Sequence, residues 1–153
     1  MTTEKEKILI AGLRTPENDK FFEEELGELK ELVRTAEGEI CGEVFQFRQS
    51  PDKNYVFGQG KIEEIRRICE LTDADSVLFT CDLSASEWNN IDKFLKNVKI
   101  IDRTTLILDI FAKHAKTAEG KLQVALAQLK YVLPRLSGST GHKLSRLGGG
   151  IGT

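Results

Sequence analysis

The residues best suited to bind a charged partner lie in the last third of the chain. Residues 113 to 153 carry seven lysines and arginines against one acid, Glu119, so this segment has a formal charge of +6 while the rest of the chain has −8. Such an asymmetry is typical of chains whose basic part meets phosphate groups. A basic surface that is merely solvated is the alternative.

Glycines and hydroxyl side chains are interspersed among these basic residues. Charged donors suit phosphate oxygens, and glycines let a backbone approach a nucleic acid closely. The segment therefore predicts salt-sensitive RNA binding, and the candidate residues are Lys121, Lys130, Arg135, His142, Lys143, Arg146, Gly148, Gly149 and Gly150. An unstructured linker that happens to be basic is the alternative.

The sequence GQGK is a candidate nucleotide-binding site, with Gly58, Gly60 and Lys61 as its residues. Glycines let backbone N–H groups approach an anion, and a helix N-terminus adds partial positive charge. A Walker A motif, however, needs four residues between its glycines and a serine or threonine after the lysine. A tight turn with a solvated lysine is the alternative.

Three aspartates are expected near the ends of strands, where ligands of α/β proteins often bind. They are Asp82, Asp102 and Asp109. Asp82 also fits an ordinary turn residue before a helix, and Asp102 could pair with its neighbour Arg103. The sequence therefore predicts no catalytic residue in this chain.

The histidines and cysteines form no recognisable catalytic or metal-binding pattern. His114 and His142 have no partner at a motif spacing, and Cys41, Cys69 and Cys81 include no C-x-x-C pair. We interpret the cysteines as reduced core residues. Because the N-terminus shows no export signal and no segment is apolar enough to cross a bilayer, we expect a cytoplasmic protein without a membrane span.

Short apolar segments alternate with amphipathic helical ones in the first hundred residues. This order predicts an α/β fold with a small parallel sheet and flanking helices, because parallel neighbours need crossover connections. A capping box at Ser84 and Glu87 marks one helix start. The predicted strands are 7–13, 39–48, 76–81 and 98–101, with a brief extended piece at 55–57.

The chain divides into an α/β subdomain over residues 1–103, a helical arm over 104–136 and a basic Gly/Ser-rich tail over 137–153. Within the arm, leucines spaced four, three, four and three apart form a seam that needs an opposing helix. Pro134 should bend or end this helix. The seam either packs on the α/β subdomain or has its partner in sequence outside this chain, and we favour the second; its residues are Leu122, Leu126, Leu129, Leu133 and Leu136.

Several segments closely resemble the N-terminal region of HflX-type GTPases, which are ribosome-associated proteins. The resemblance covers roughly residues 54–153. It rests on YVFGQGKIEEI, on VKIIDRTTLILDIFAKHAKTAEGKLQVALAQLKYVLPRLSG and on HKLSRLGGGIGT. The first fifty residues match the family only in pattern.

The resemblance implies that two long antiparallel helices follow the α/β subdomain and that their connecting loop reaches toward the peptidyl-transferase region of the large ribosomal subunit. Leu122 to Leu136 would lie on the first helix, one half of a hairpin, and Arg146 with Gly148 to Gly150 would begin the loop. The second helix and the GTPase domain are absent from this sequence. GTP and Mg²⁺ are therefore expected only for a full-length parent, and ATP at GQGK is a further implication of the resemblance.

Three functional hypotheses follow. The first is a ribosome-binding domain that contacts ribosomal RNA of the large subunit and helps split or rescue stalled ribosomes. The second is an ATP-binding regulatory domain that controls the attached GTPase. The third is a protein-binding module that self-associates through its leucine seam.

Overall fold

Four strands form one parallel sheet in the computed structural model, which describes residues 4–136. Their spatial order is β2-β1-β3-β4, and all three neighbouring pairs are parallel. The strands are β1 (Lys7–Arg14), β2 (Glu39–Phe47), β3 (Ser76–Phe79) and β4 (Lys99–Ile101). The predicted α/β fold with a small parallel sheet is confirmed.

Helices cover both faces of this sheet. On one face lie α1 (Phe22–Thr35) and α4 (Arg103–His114), and on the other lie α2 (Gln59–Thr72) and α3 (Ala85–Leu95). Since the central strands are apolar on both sides, each face needs such a cover to exclude water. The result is a three-layer α/β/α arrangement.

Alternate residues of β1 enter two separate cores, because successive side chains of a strand point to opposite faces. Ile8 and Ile10 pack with the helices of one face, including the fully buried Leu106 of α4. Leu9 packs in the other core with Trp88 of α3. Helix α4, the first part of the predicted helical arm, therefore belongs to the layer that covers the sheet.

The extended piece predicted at 55–57 is instead part of a tight loop. Asp52 and Val56 form an isolated antiparallel bridge, and Val56 has a φ of 67°. The N–H of Phe57 donates to the carbonyl oxygen of Tyr55 at 2.6 Å, across a three-residue turn. A β-branched residue with positive φ is uncommon, so the tight turn, rather than β-propensity, determines this backbone.

The second part of the predicted arm is α5 (Ala118–Val132). Thr117 caps its start, with Oγ1 accepting a hydrogen bond from the N–H of Gly120 at 2.9 Å. The helix ends at Val132 and passes into a 3-10 turn over Leu133–Arg135. The end predicted near Pro134 is confirmed. The predicted glycine-rich tail, residues 137–153, lies outside the described residues.

Candidate nucleic-acid interface

Helix α5 contacts the rest of the protein along one side. The half-buried residues of this side face α4, and the Gln128 amide donates to the Asp109 carboxylate at 3.1 Å. They are Val124, Ala127, Gln128 and Tyr131, at the three- and four-residue spacing of one helical face. No residue of α5 is fully buried, so a single side of the helix holds it to the domain.

The leucines occupy the opposite side of α5 and are exposed. Their exposed fractions are 63% for Leu122, 47% for Leu126, 39% for Leu129 and 52% for Leu133. Within residues 4–136 nothing covers this side, whereas Leu136, after the 3-10 turn, is buried. Packing of the seam back onto the α/β domain is therefore limited to its last leucine. An apolar stripe of this kind is typical of a surface that meets another helix.

Two of the predicted RNA-binding residues, Lys121 and Lys130, lie exposed at the first and last turns of α5. Neither belongs to the side that packs against α4. Both ammonium groups are therefore accessible to phosphate oxygens. Six further predicted residues lie outside the described residues: His142, Lys143, Arg146, Gly148, Gly149 and Gly150.

Arg135 lies in a different environment from the two lysines. Its Nε and Nη2 donate to the carbonyl oxygen of Leu83 at 3.2 and 2.8 Å, and its Nη1 donates to the carbonyl oxygen of Tyr131 at 2.6 Å. Its guanidinium also stacks on the Tyr131 ring, with the central carbon 3.7 Å from the ring centroid. Each of its three nitrogens is thus directed at the protein.

Asp102 is completely buried at the end of β4 and caps α4. Its Oδ1 accepts from the N–H of Thr105 at 3.0 Å, and its Oδ2 accepts from the N–H of Leu83 at 3.2 Å and from the Tyr131 hydroxyl at 2.6 Å. A buried carboxylate needs such donors to replace water. Asp102 therefore has a structural role at the edge of the sheet.

The ion pair predicted between Asp102 and Arg103 is wrong. Arg103 turns instead toward α1, with Nη2 3.6 Å from a carboxylate oxygen of Glu28. Asp82 accepts hydrogen bonds from the N–H and the hydroxyl of Thr104, at 3.0 and 2.9 Å. Asp82 stands before α3, as expected, but its carboxylate fixes the start of α4, 22 residues later, and does not serve a local turn.

The GQGK segment forms the N-terminus of α2, as the sequence predicts, but its groups are engaged with the protein. The N–H of Gly58 donates to Oε1 of Gln46 at 2.9 Å, and the Lys61 ammonium pairs with Glu64 at 2.7 Å. A Cβ at Gly60 would meet open space, so no close approach of a neighbour requires glycine there. Gly58 is thus the N-cap of α2, and Lys61 is ion-paired where the sequence alternative expected a solvated lysine in a tight turn.

Burial keeps two of the cysteines protonated. Removal of water is the main cause that raises the pKa of Cys69 to about 12 and that of Cys81 to about 11. Cys41, Cys69 and Cys81 are all free thiols, as predicted, but Cys69 alone of the three is buried, whereas Cys41 and Cys81 are half-buried. The described part of the chain contains no cluster of three or more side chains suited to a metal ion, and no helix there has the length and apolar character needed to cross a membrane.

Tyr131 is the residue of this region that the sequence did not identify. It lies on the α4-facing side of α5, and its partner Asp102 is 29 residues earlier in the chain. The available signal was a single tyrosine on a side of α5 that also carries alanine and valine. A half-buried tyrosine hydroxyl usually has a hydrogen-bond partner.

Two family models together cover residues 23–153 apart from residue 113. The model described as GTP-binding GTPase N-terminal matches residues 23–112, and the model described as GTP-binding GTPase Middle Region matches residues 114–153. The boundary between them falls near the end of α4.

Curated relatives match nearly the whole chain. The GTPase HflX of Alkalihalophilus pseudofirmus is 47% identical over 148 residues, which cover 97% of this chain and 34% of the relative. That of Caldanaerobacter subterraneus is 50% identical and covers 95% of this chain and 33% of the relative. The Escherichia coli GTPase HflX is 43% identical, with 84% and 30% covered. The chain spans about a third of the length of these relatives.

Solved structures show the same fold. A GTP-binding protein from Sulfolobus solfataricus in complex with GDP superposes with a TM-score of 0.64 at 25% identity, covering 92% of this chain and 42% of that one. A GDP complex named SsGBP gives a TM-score of 0.68 at 22% identity and 94% coverage, which supports the fold alone.

The parallel α/β domain with an attached basic helix is thus a module found in GTP-binding proteins. The chain belongs to the GTP-binding GTPase N-terminal family, which forms the N-terminal region of HflX-type GTPases.

Proposed function

We propose that this chain is the ribosome-binding region of an HflX-type GTPase and that it binds ribosomal RNA of the large subunit. The observation that carries the proposal is the exposure of Lys121 and Lys130 on α5, in a segment whose formal charge is +6. Cations that the fold leaves in water retain their full attraction for phosphate. In the whole protein this binding would serve the splitting or rescue of stalled ribosomes.

The exposed leucine side of α5 is the basis of a second element of the proposal. We propose that an antiparallel helix from the remainder of the protein covers Leu122, Leu126, Leu129 and Leu133, which would complete a helical hairpin. Four leucines at heptad-like spacing form the seam that such packing uses. The hairpin would hold the basic loop between its helices at the tip.

We propose that nucleotide chemistry belongs to another part of the protein. GTP binding, Mg²⁺ coordination and hydrolysis would belong to the roughly two thirds of the relatives that this chain does not cover. We therefore expect the isolated chain to bind ribosomal subunits without hydrolysing GTP.

Co-sedimentation of the chain with purified large and small subunits tests the proposal. We expect binding to the large subunit at low ionic strength, and we expect the double change Lys121→Glu and Lys130→Glu to weaken it by roughly tenfold or more, since two phosphate contacts become repulsive. A matched double change, Lys20→Glu and Lys53→Glu, alters the net charge equally at exposed sites outside α5. Equal effects of the two double changes, or no binding by the unaltered chain, would contradict the proposal.

A further inference from the structure

Two side chains from the end of the described chain are bonded at the carboxyl ends of β3 and β4. Open α/β sheets commonly hold their ligands outside the carboxyl ends of the strands. Here Asp102 follows β4, and Leu83 lies between β3 and α3. The Tyr131 hydroxyl of α5 donates to Asp102, and Arg135 of the following 3-10 turn donates to the carbonyl oxygen of Leu83. This edge of the sheet therefore holds the end of the protein's own last helix.

The Asp102 carboxylate, which accepts the Tyr131 hydrogen bond, is also held by donors of the α/β domain. The backbone N–H groups of Leu83 and Thr105 donate to the buried Asp102 carboxylate and fix its orientation. Leu83 and Thr105 both belong to the α/β domain and its covering helices. The Tyr131 hydroxyl is the donor to this carboxylate that comes from α5, and its distance of 2.6 Å is that of a charge-assisted hydrogen bond. A donor of this kind is costly to remove, because the carboxylate behind it has no access to water.

Both backbone polar groups of Leu83, the N–H and the carbonyl oxygen, form hydrogen bonds here. Its N–H donates to Asp102, and its carbonyl oxygen accepts from two nitrogens of Arg135. Arg135 in turn donates to the carbonyl oxygen of Tyr131 and stacks on that ring. The three side chains Asp102, Tyr131 and Arg135 thus form one connected unit between α5 and the sheet edge.

Packing against α4 holds the body of α5, and the bonds of Tyr131 and Arg135 hold its end. No residue of the helix is fully buried, its leucine side is exposed, and its polar bond to α4 is the one from Gln128 to Asp109. A helix held along one half-buried side is easily reoriented when its end is released. The bonds of Tyr131 and Arg135 therefore fix where the end of α5 lies against the sheet edge.

We infer that Asp102, Tyr131 and Arg135 form a latch that fixes the orientation of α5 on the α/β domain, and that Arg135 positions the helix instead of contacting RNA. Its consequence for ribosome binding rests on the proposed function, whereas the latch itself does not. Lys130 lies one residue before Tyr131, so the latch also sets where that exposed cation is presented.

Hydrogen exchange of the 153-residue chain tests the latch without ribosomes. Tyr131→Phe removes the donor and keeps the ring, and we expect exchange protection over residues 126–136 to fall by roughly tenfold or more while β1 and β3 stay protected. Tyr55→Phe, at the other tyrosine, is the matched control and should change neither region. Unchanged protection of residues 126–136 in Tyr131→Phe would overturn the latch.

The conservative change Arg135→Lys separates positioning from charge. Lysine keeps the positive charge but lacks the planar fork that reaches Leu83 and Tyr131 together. We expect Arg135→Lys to loosen residues 126–136 and to weaken large-subunit binding as Arg135→Ala does. Full binding and normal exchange in Arg135→Lys would instead show a simple phosphate contact. If the unaltered chain fails to bind subunits while Tyr131→Phe still loosens α5, the proposed function fails and the latch stands.

Discussion

Gln128 of α5 donates a hydrogen bond to Asp109 of α4 across 3.1 Å. Burial is the largest influence on this carboxylate and raises its pKa, although the positive charge of Lys99 opposes the shift. The contact between the two helices therefore includes a charge that the fold disfavours.

The change Asp109→Asn should stabilise the protein at neutral pH. It removes the poorly solvated charge and keeps an oxygen that accepts from Gln128. Because the folded-state pKa of Asp109 is raised above its ordinary 3.8, the unaltered protein loses stability as the pH rises above that value. Thermal unfolding should show a higher Tm for the variant at pH 7 and a difference that shrinks as the pH falls toward 3.8. A variant equally destabilised at both pH values would contradict this.

Tyr131 should ionise only at strongly alkaline pH. Burial is the main cause that raises the pKa of Tyr131 above the ordinary 10.0, and its hydrogen bond to Asp102 is the second. The stability that the protonated Tyr131 contributes is therefore present below pH 10.0 and is lost at more alkaline pH. A spectrophotometric titration should show a late component that is lost in Tyr131→Phe. In Asp102→Asn that component should move to lower pH, and an unchanged titration would argue against the bond.

Lys113 should contribute to stability through α1. Its ammonium donates to the carbonyl oxygen of Ala36 at 3.0 Å, directly after the end of α1, where carbonyl groups lack helical partners. Lys113→Met should therefore lower the free energy of unfolding by about 1 kcal/mol in urea titrations. Lys116 is exposed like Lys113, and the matched change Lys116→Met, which leaves the bond to Ala36 in place, should cost less than about 0.5 kcal/mol. Equal costs would show that the bond is not stabilising.

The leucine side of α5 should contribute little to the stability of this chain. Leu126 is 47% exposed, so Leu126→Gln should change the free energy of unfolding by less than about 0.5 kcal/mol. Leu106→Ala, at a fully buried site, should cost about 2 to 5 kcal/mol. In a longer protein that includes the proposed second helix, Leu126→Gln should cost about 1 to 2 kcal/mol. No added cost there would mean that the hairpin does not use this side.

Local patterns predicted most of the fold. The apolar segments at β1 and β3 specify strands because their residues are buried on both faces, and the capping box of Ser84 and Glu87 is present as predicted. A second capping box, of Asp102 and Thr105, was missed because its residue types differ from the usual serine or threonine with glutamate.

Long-range contacts account for what the sequence did not predict. The charge and position of Arg135 predicted a cation available to RNA. In the structure Arg135 donates to the carbonyl oxygen of Leu83, which lies 52 residues earlier. Tyr131 and Asp102 are likewise brought together only by the return of α5 to the sheet edge. The assignment of Lys121 and Lys130 to RNA stays a prediction, because it depends on a partner and not on the fold.

The salt dependence of binding to the large ribosomal subunit tests the central claim most directly. If Lys121 and Lys130 contact phosphates, the logarithm of the affinity should fall linearly with the logarithm of the salt concentration, and changing either lysine to glutamine should reduce the slope by about 1. The matched Lys53→Gln should leave the slope unchanged. An affinity that is independent of salt, or slopes that are the same in all three variants, would contradict the account.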